Sequence, residues 1–275
     1  MNEEIEKFKK NSVVVSPIGG KGTRMLPVEV ADSIRKRFGE EELEKLYTPK
    51  PLVTVGEKTL IERFIEEYKR NGIDQFVFLV GREEKEIEEF LGDGSKYGVE
   101  IVYSYDPPVE KVGKGKALRY AFERGVIELE KNIFWGFPDD IILYPYYIEE
   151  STMRFLYYRK KYKVIGLLIF APKARFPYGT AKIDGKGLVR EFREKPEVDL
   201  PTNTGRGIFV ARELYPYVQD LIDINSPEVV ELEDSVLPKL AEDGKLASWI
   251  LPESENFISI NSFKEWKLAN KRLCE

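Results

Sequence analysis

Histidine is absent from this 275-residue chain, cysteine occurs once, and no apolar run approaches the length of a membrane span. The first absence removes Ser-His and Cys-His catalysis, phosphohistidine intermediates and most zinc sites, so Asp, Glu, Lys and Arg must carry any reaction. Chemistry that needs charge and positioning, with no protein nucleophile, fits that inventory. The lone thiol, Cys274, can form no internal disulfide and makes a poor nucleophile at a chain end. The longest apolar run, 164–172, is too short to cross a bilayer, and the opening MNEEIEKFKK lacks the apolar centre of a secretion signal. A cytoplasmic protein without a membrane partner is therefore expected. With 43 basic and 48 acidic side chains the net charge is −5, so no nucleic-acid partner is expected and a phosphate ligand requires a local cluster of cations.

Such a cluster has a candidate at 17–27, PIGGKGTRMLP, which follows the apolar run Val13, Val14 and Val15. Gly19, Gly20 and Gly22 let backbone amides approach an anion with no Cβ in the way, Thr23 can donate a hydroxyl, and Arg24 offers a forked guanidinium to phosphate oxygens. The loop is neither the Walker phosphate loop, which needs GxxxxGK followed by Ser or Thr, nor the dinucleotide fingerprint, whose third glycine is missing.

Apolar or β-branched runs at 12–16, 75–80, 99–105, 132–137 and 163–171 alternate with helix-period segments at 60–71, 84–91, 116–125 and 146–162, a βαβ rhythm. The pattern then changes. Residues 180–183, the turn 184–187 and 188–194 read as a β-hairpin, followed by helices at 212–222 and 229–242, short strands at 246–251 and 257–260, and a helix from Phe263 that Ser262 and Glu265 cap as a box. No repeat or linker interrupts this, so one mixed α/β domain is expected over 11–275, with 1–10 as an N-terminal extension. A charged insertion at 28–48 reads as helical.

The glycine loop is followed in order by PKPL (49–52), VGKGKAL (112–118), FPDDI (137–141), FPYGT (176–180), FREKPE (192–197) and TNTGRGIFV (202–210). In this order the motifs resemble the sugar-1-phosphate nucleotidylyltransferases, and the GTRMLP and PDD spellings look most like the branch that makes UDP-glucose. The resemblance runs from about Ser12 to Trp266. It implies a Rossmann-like mixed, mainly parallel sheet flanked by helices, with a small β-rich sugar-binding part, the nucleotide-diphospho-sugar transferase fold. It also implies that Gly19, Gly20, Gly22 and Thr23 hold the nucleotide, that Arg24 and Lys50 meet the triphosphate or pyrophosphate, and that Lys195 meets the phosphate joining the substrates. The prolines after Lys50 and Lys195 fix the backbone at both.

Asp139 and Asp140 follow the aromatic strand candidate 132–137, at the strand end where open α/β sheets bind ligands. Asp139 is the expected Mg2+ ligand, since magnesium takes one or two carboxylates plus phosphates and water. The family's second metal-binding Asp falls in SINSFKE, where Ser259 takes the acidic position, and Asn261 is the expected replacement. The family's base-reading Gln falls at Pro108, so uracil, thymine and guanine are not ranked by that position. Gly113 and Gly115 are expected to let the base pack against backbone, with Lys116 opening a helix whose amides face an anion. For the sugar, the resemblance carries over Gly179, Glu194 and Asn203.

The activity implied is transfer of a nucleotidyl group from a nucleoside triphosphate to a sugar 1-phosphate, most closely UTP with glucose 1-phosphate, by a homo-oligomeric enzyme. Thymidylyl or guanylyl transfer, or a noncatalytic subunit that keeps the fold, are the alternatives. A nicotinamide or flavin protein is disfavoured by the missing glycine.

Overall fold

Three consecutive valines suit a strand covered on both faces, and the computed structural model, which describes residues 2–19, 48–81, 85–253 and 256–274, places them near the middle of the main sheet. Gly20, Gly22, Thr23 and Arg24, and the insertion at 28–47, lie outside the described residues. Helix α1 (Asn2–Lys10) leads into β1 (Ser12–Pro17). After it come the short strands β2 (Thr54–Val55) and β3 (Lys58–Thr59), then α2 (Leu60–Arg70), β4 (Gln75–Val80), α3 (Lys85–Leu91), β5 (Glu100–Tyr105), α4 (Gly113–Glu123) and β6 (Asn132–Trp135). The second half runs β7 (Asp140–Ile142), α5 (Tyr147–Tyr162), β8 (Gly166–Ala171), β9 (Ala174–Arg175), β10 (Thr180–Ile183), β11 (Val189–Arg193), β12 (Glu197–Val198) and β13 (Thr202–Val210). It closes with α6 (Ala211–Leu221), α7 (Leu232–Glu242), β14 (Leu246–Ile250), β15 (Phe257–Ser259) and α8 (Phe263–Cys274).

Seven strands form one sheet in the order β14-β8-β13-β6-β1-β4-β5. It is mainly parallel, as expected, with β13 antiparallel to both β6 and β8. The period-2 alternation of a strand divides its side chains between two cores. Val14, Phe76 and Phe134 pack with α1, α2, α3 and α5, whereas Val13, Val15, Val77, Ile133 and Trp135 pack with α4, α6 and α7. A third, smaller core joins Val53, Val55 and Leu60 to Ile258, Ile260 and Trp266, and so ties α8 to the strands around β2. The hairpin β10–β11 pairs outside the main sheet, its turn held by Asp184, whose carboxylate accepts from the amides of Lys186 and Leu188 at 2.9 Å.

The structure departs from the sequence reading in three places. The first ten residues, set apart as an extension, build α1, whose Phe8 ring lies 5.5 Å from that of Phe155 and 6.2 Å from that of Phe134. The segment 202–210, read as a motif, is β13 and fills the sheet between β6 and β8. Helix α4 begins at Gly113, not Lys116, and α7 begins at Leu232, not 229. One contact explains both shifts: Val230 stays outside the helix, donating its N–H to Val112 O at 3.1 Å and accepting from Gly115 N at 2.9 Å.

Candidate active site

Sheet order reverses at β1, whose neighbours are β6 on one side and β4 on the other, and an open α/β sheet leaves a crevice at the carboxyl ends of its strands where the order reverses. There the structure has a cleft of about 470 Å³, walled by Pro17 to Gly19 from the end of β1, by Leu79 from β4, by Phe137 to Asp139 after β6, and by the start of α4. Ile18 and Gly19 both donate to Leu79 O, at 2.9 and 3.1 Å, so the exit of β1 toward the glycine loop is tied to β4.

Lys50, Asp139 and Asn261 meet on this cleft. The Lys50 ammonium donates to Asp139 Oδ2 and, at 2.9 Å, to Asn261 Oδ1, across sequence separations of 89 and 211 residues. Each partner is held by the chain around it. Pro49 and Pro51 flank Lys50 at the start of a 3-10 turn. Pairing of β15 with β7 sets Ser259 opposite Asp140, and Ile260 N donates to Asp139 O at 2.9 Å. Asn261 donates its amide N–H to Ser259 Oγ at 2.7 Å, which turns Oδ1 toward Lys50, and its backbone N–H to Glu265 Oε2 at 2.8 Å. A carboxylate and an amide oxygen converging on one cation form a hard-oxygen set that fits magnesium completed by phosphates and water. Among the described residues no three Asp, Glu, His or Cys side chains gather as a metal cluster, so one carboxylate would carry such a site.

Below this pair lies a buried cation. Between Asn203 and Gly207 the register of β13 against β8 slips, and the irregularity carries Arg206 under the 136–140 turn. Arg206, 2% exposed, donates Nη2 to Asp140 O, lies 3.3 Å from Tyr68 Oη and 3.5 Å from Glu67 Oε2, and covers the Phe64 ring at 4.5 Å. Gly205, at φ +73°, leaves no room for a side chain, because a Cβ there would stand 2.5 Å from Asp140 Oδ2. Burial, then the Asp139 charge, raises the Asp140 carboxyl above the ordinary carboxylate range, opposed by Ser259, Arg206 and Lys50.

The start of α4 corrects the sequence reading. A Cβ on Gly113 or Gly115 would lie 2.5 or 2.8 Å from Val230 O, so both glycines admit the chain's own backbone there, and Gly113 also lines the cleft. Lys116 is fully buried, donating to Lys111 O at 2.8 Å and Ser226 O at 2.6 Å. The anion at this helix N-terminus is Glu231, whose Oε2 accepts from Lys114 N at 3.1 Å. Burial works against the Lys114 charge, but Glu233 and Glu231 outweigh it and hold its pKa above the ordinary lysine value.

The other sequence candidates lie apart from this cluster. Pro108 is exposed and does not line the cleft; Asp106, which the sequence reading passed over, does. Gly179 and Glu194 are neighbours, a Cβ on Gly179 standing 3.0 Å from Glu194 Oε2, and both are exposed. Lys195 is exposed, with a left-handed φ of 46°, and is not among the residues lining the cleft. Asn203 accepts from Gly205 N at 3.1 Å, two residues from the contact with Asp140. The sequence reading singled out neither Arg206, one basic residue within the motif at 202–210, nor Glu231, which reaches α4 across 117 residues.

A cleft at the strand ends of a mainly parallel α/β sheet, with a carboxylate, an amide and a lysine converging on its floor, is the architecture of a nucleotide-handling domain. Residues 46–255 match the nucleotidyl transferase family, and the chain belongs to it. Over 254 residues it is 27% identical to a UTP–glucose-1-phosphate uridylyltransferase of Synechocystis sp., covering 90% of this chain and 57% of that protein. It is 23% identical to a mannose-1-phosphate guanylyltransferase catalytic subunit beta of Drosophila pseudoobscura pseudoobscura, over 83% of this chain and 54% of that one. The chain thus spans a little over half the length of these relatives. A solved structure described as a glucose-1-phosphate thymidylyltransferase of Bacillus anthracis shares the fold, with a TM-score of 0.64, 18% identity, and coverage of 95% of this chain and 94% of that one.

Proposed function

We propose that this protein is a sugar-1-phosphate nucleotidylyltransferase, converting a nucleoside triphosphate and a sugar 1-phosphate into a nucleoside diphosphate sugar and pyrophosphate. The observation that carries this reading is the meeting of Lys50, Asp139 and Asn261 in the cleft. A phosphate oxygen of the sugar 1-phosphate attacks the α-phosphorus in line; the new P–O bond forms as the α–β bridging bond breaks, and the electron pair leaves on pyrophosphate. Catalysis then consists of holding two polyanions together and offsetting their repulsion. Lys50, which lines the cleft, is assigned to the triphosphate, and Arg24 and Lys195 are assigned to the leaving group and the sugar phosphate. Asp139 and Asn261 would hold magnesium, which when bound supplies fixed divalent charge against the phosphates. Gly179, Glu194 and Asn203 would receive the sugar hydroxyls.

UTP with glucose 1-phosphate is the first choice of substrates, supported by the spelling of the glycine loop and by the name of the Synechocystis relative. Guanylyl transfer is the second reading, favoured by Asp106 in the cleft wall. A carboxylate accepts hydrogen bonds, and guanine presents a pair of donors, N1–H and N2–H, where uracil presents N3–H alone. A pyrophosphate-release screen crossing four nucleoside triphosphates with glucose, mannose and galactose 1-phosphates, with and without magnesium, tests this. Release with one pair, dependent on magnesium, is expected. Silence of folded protein across the whole matrix overturns the enzyme reading and favours a noncatalytic subunit.

A further inference from the structure

The lysine that the phosphate chemistry requires is engaged elsewhere. The Lys50 ammonium lies between Asp139 Oδ2 and Asn261 Oδ1, the two oxygens that fit a divalent cation, and it occupies the position such an ion would take. The residues that carry those oxygens are anchored: the Asp139 main-chain carbonyl accepts from Ile260 N at 2.9 Å, and Asn261 donates its backbone N–H to Glu265 Oε2 at 2.8 Å and its side-chain amide to Ser259 Oγ at 2.7 Å. On Lys50 the backbone is held, between prolines and by Val53 N donating to Lys50 O at 3.2 Å, while lysine's four-carbon stem has rotatable bonds through which the ammonium can exchange one acceptor for another. The Lys50 and Asp139 side chains keep 21% and 22% exposure, so the pair faces the cleft and is not locked in the core.

An ammonium and a divalent ion cannot share these oxygens, since like charges about 4 Å apart repel strongly outside bulk water. We infer that Lys50 is an internal counter-cation that keeps the metal position closed until a nucleotide arrives. A triphosphate offers the ammonium a stronger acceptor; as Lys50 swings onto it, Asp139 and Asn261 are released together for the metal that the phosphates bring. The one side chain therefore serves two partners in sequence, Asp139 in the free protein and phosphate in the loaded one, and couples metal binding to nucleotide binding. By linkage, each ligand must tighten the other by the same factor. This inference rests on the reading of Asp139 and Asn261 as metal ligands.

The test is Mn2+ binding to the whole protein, followed by the electron paramagnetic resonance signal of the free ion, with and without UTP or GTP. For free wild-type protein weak binding is expected, and Lys50→Met, which keeps a long apolar stem without charge, should bind Mn2+ about tenfold or more tightly. Lys50→Arg, which keeps the charge, should stay weak, and Lys50→Met/Asp139→Asn should lose the gain. Nucleotide should tighten Mn2+ on wild-type protein, beyond the loss of free-ion signal that the same nucleotide causes without protein, and narrow its difference from Lys50→Met. Equal, Asp139-dependent binding by free wild-type protein and Lys50→Met overturns the role given to Lys50 and leaves the metal site standing. Absence of Mn2+ binding in every variant, with or without nucleotide, overturns the metal site as well. The nucleotide dependence of wild-type protein is a readout that no substitution can spoil by misfolding.

Discussion

Replacing Arg206 by Met removes a cation that is 2% exposed and leaves Glu67, 3.5 Å from it with a side chain only 17% exposed, without its main counter-charge. Met fills much of the space over the Phe64 ring, so the loss is chiefly electrostatic. Breaking one partner out of a buried pair costs about 3–5 kcal/mol. Burial already raises the Glu67 pKa, and Arg206 is the first of the groups that pull it back down. For a carboxyl raised in the folded state, stability falls as pH rises from the unfolded value through the folded one, because the folded protein holds the proton longer. Arg206→Met raises the folded value further and widens that window. Urea unfolding at about pH 5.5 and about pH 8 should therefore show the larger loss at the higher pH, and Arg206→Met/Glu67→Gln should recover much of it. Equal losses at both pH values with no recovery in the double variant would refute the electrostatic account and point to a packing defect.

Gly115→Ala, normally favourable in a helix by about 1 kcal/mol, should instead destabilise, since its Cβ meets Val230 O at 2.8 Å, and thermal unfolding will show a lower midpoint. Phe8→Ala should cost about 3–5 kcal/mol in urea unfolding if α1 belongs to the core, and near zero if it is a loose appendage. Lys195→Ala, at an exposed position, should leave the unfolding midpoint within a degree or two, roughly, while cutting turnover; unchanged turnover would remove Lys195 from the reaction.

What could be read in advance followed from local physics. The strands at β1, β4 and β6 announce themselves because β-branched and aromatic residues crowd short runs that must be covered on both faces. The hairpin was legible from Asp184 and its glycines, which supply the turn without tertiary help. The start of α4 was not, because the groups that satisfy its first amides, Glu231 and Val230, come from a segment more than a hundred residues away. The approach of Val230 O to Gly113 and Gly115 was hidden for the same reason: a glycine signals a close approach without saying by what. At the site, Lys50, Asp139 and Asn261 were each singled out, the last through family spelling. That Lys50 rests on the other two depends on β15 pairing with β7, a register no local pattern encodes. Arg206 was hidden as one basic letter in a strand, since its importance lies in a bulge and an aromatic floor.

The most direct test of the central claim is the rate of pyrophosphate release, with the best substrate pair at saturating magnesium, for wild-type protein and Asp139→Asn. The account predicts a loss of about 100-fold or more in turnover with the unfolding midpoint essentially kept, because one carboxylate carries the metal position. Retention of the wild-type rate by folded Asp139→Asn would show that the chemistry happens somewhere other than the cleft where Lys50, Asp139 and Asn261 meet.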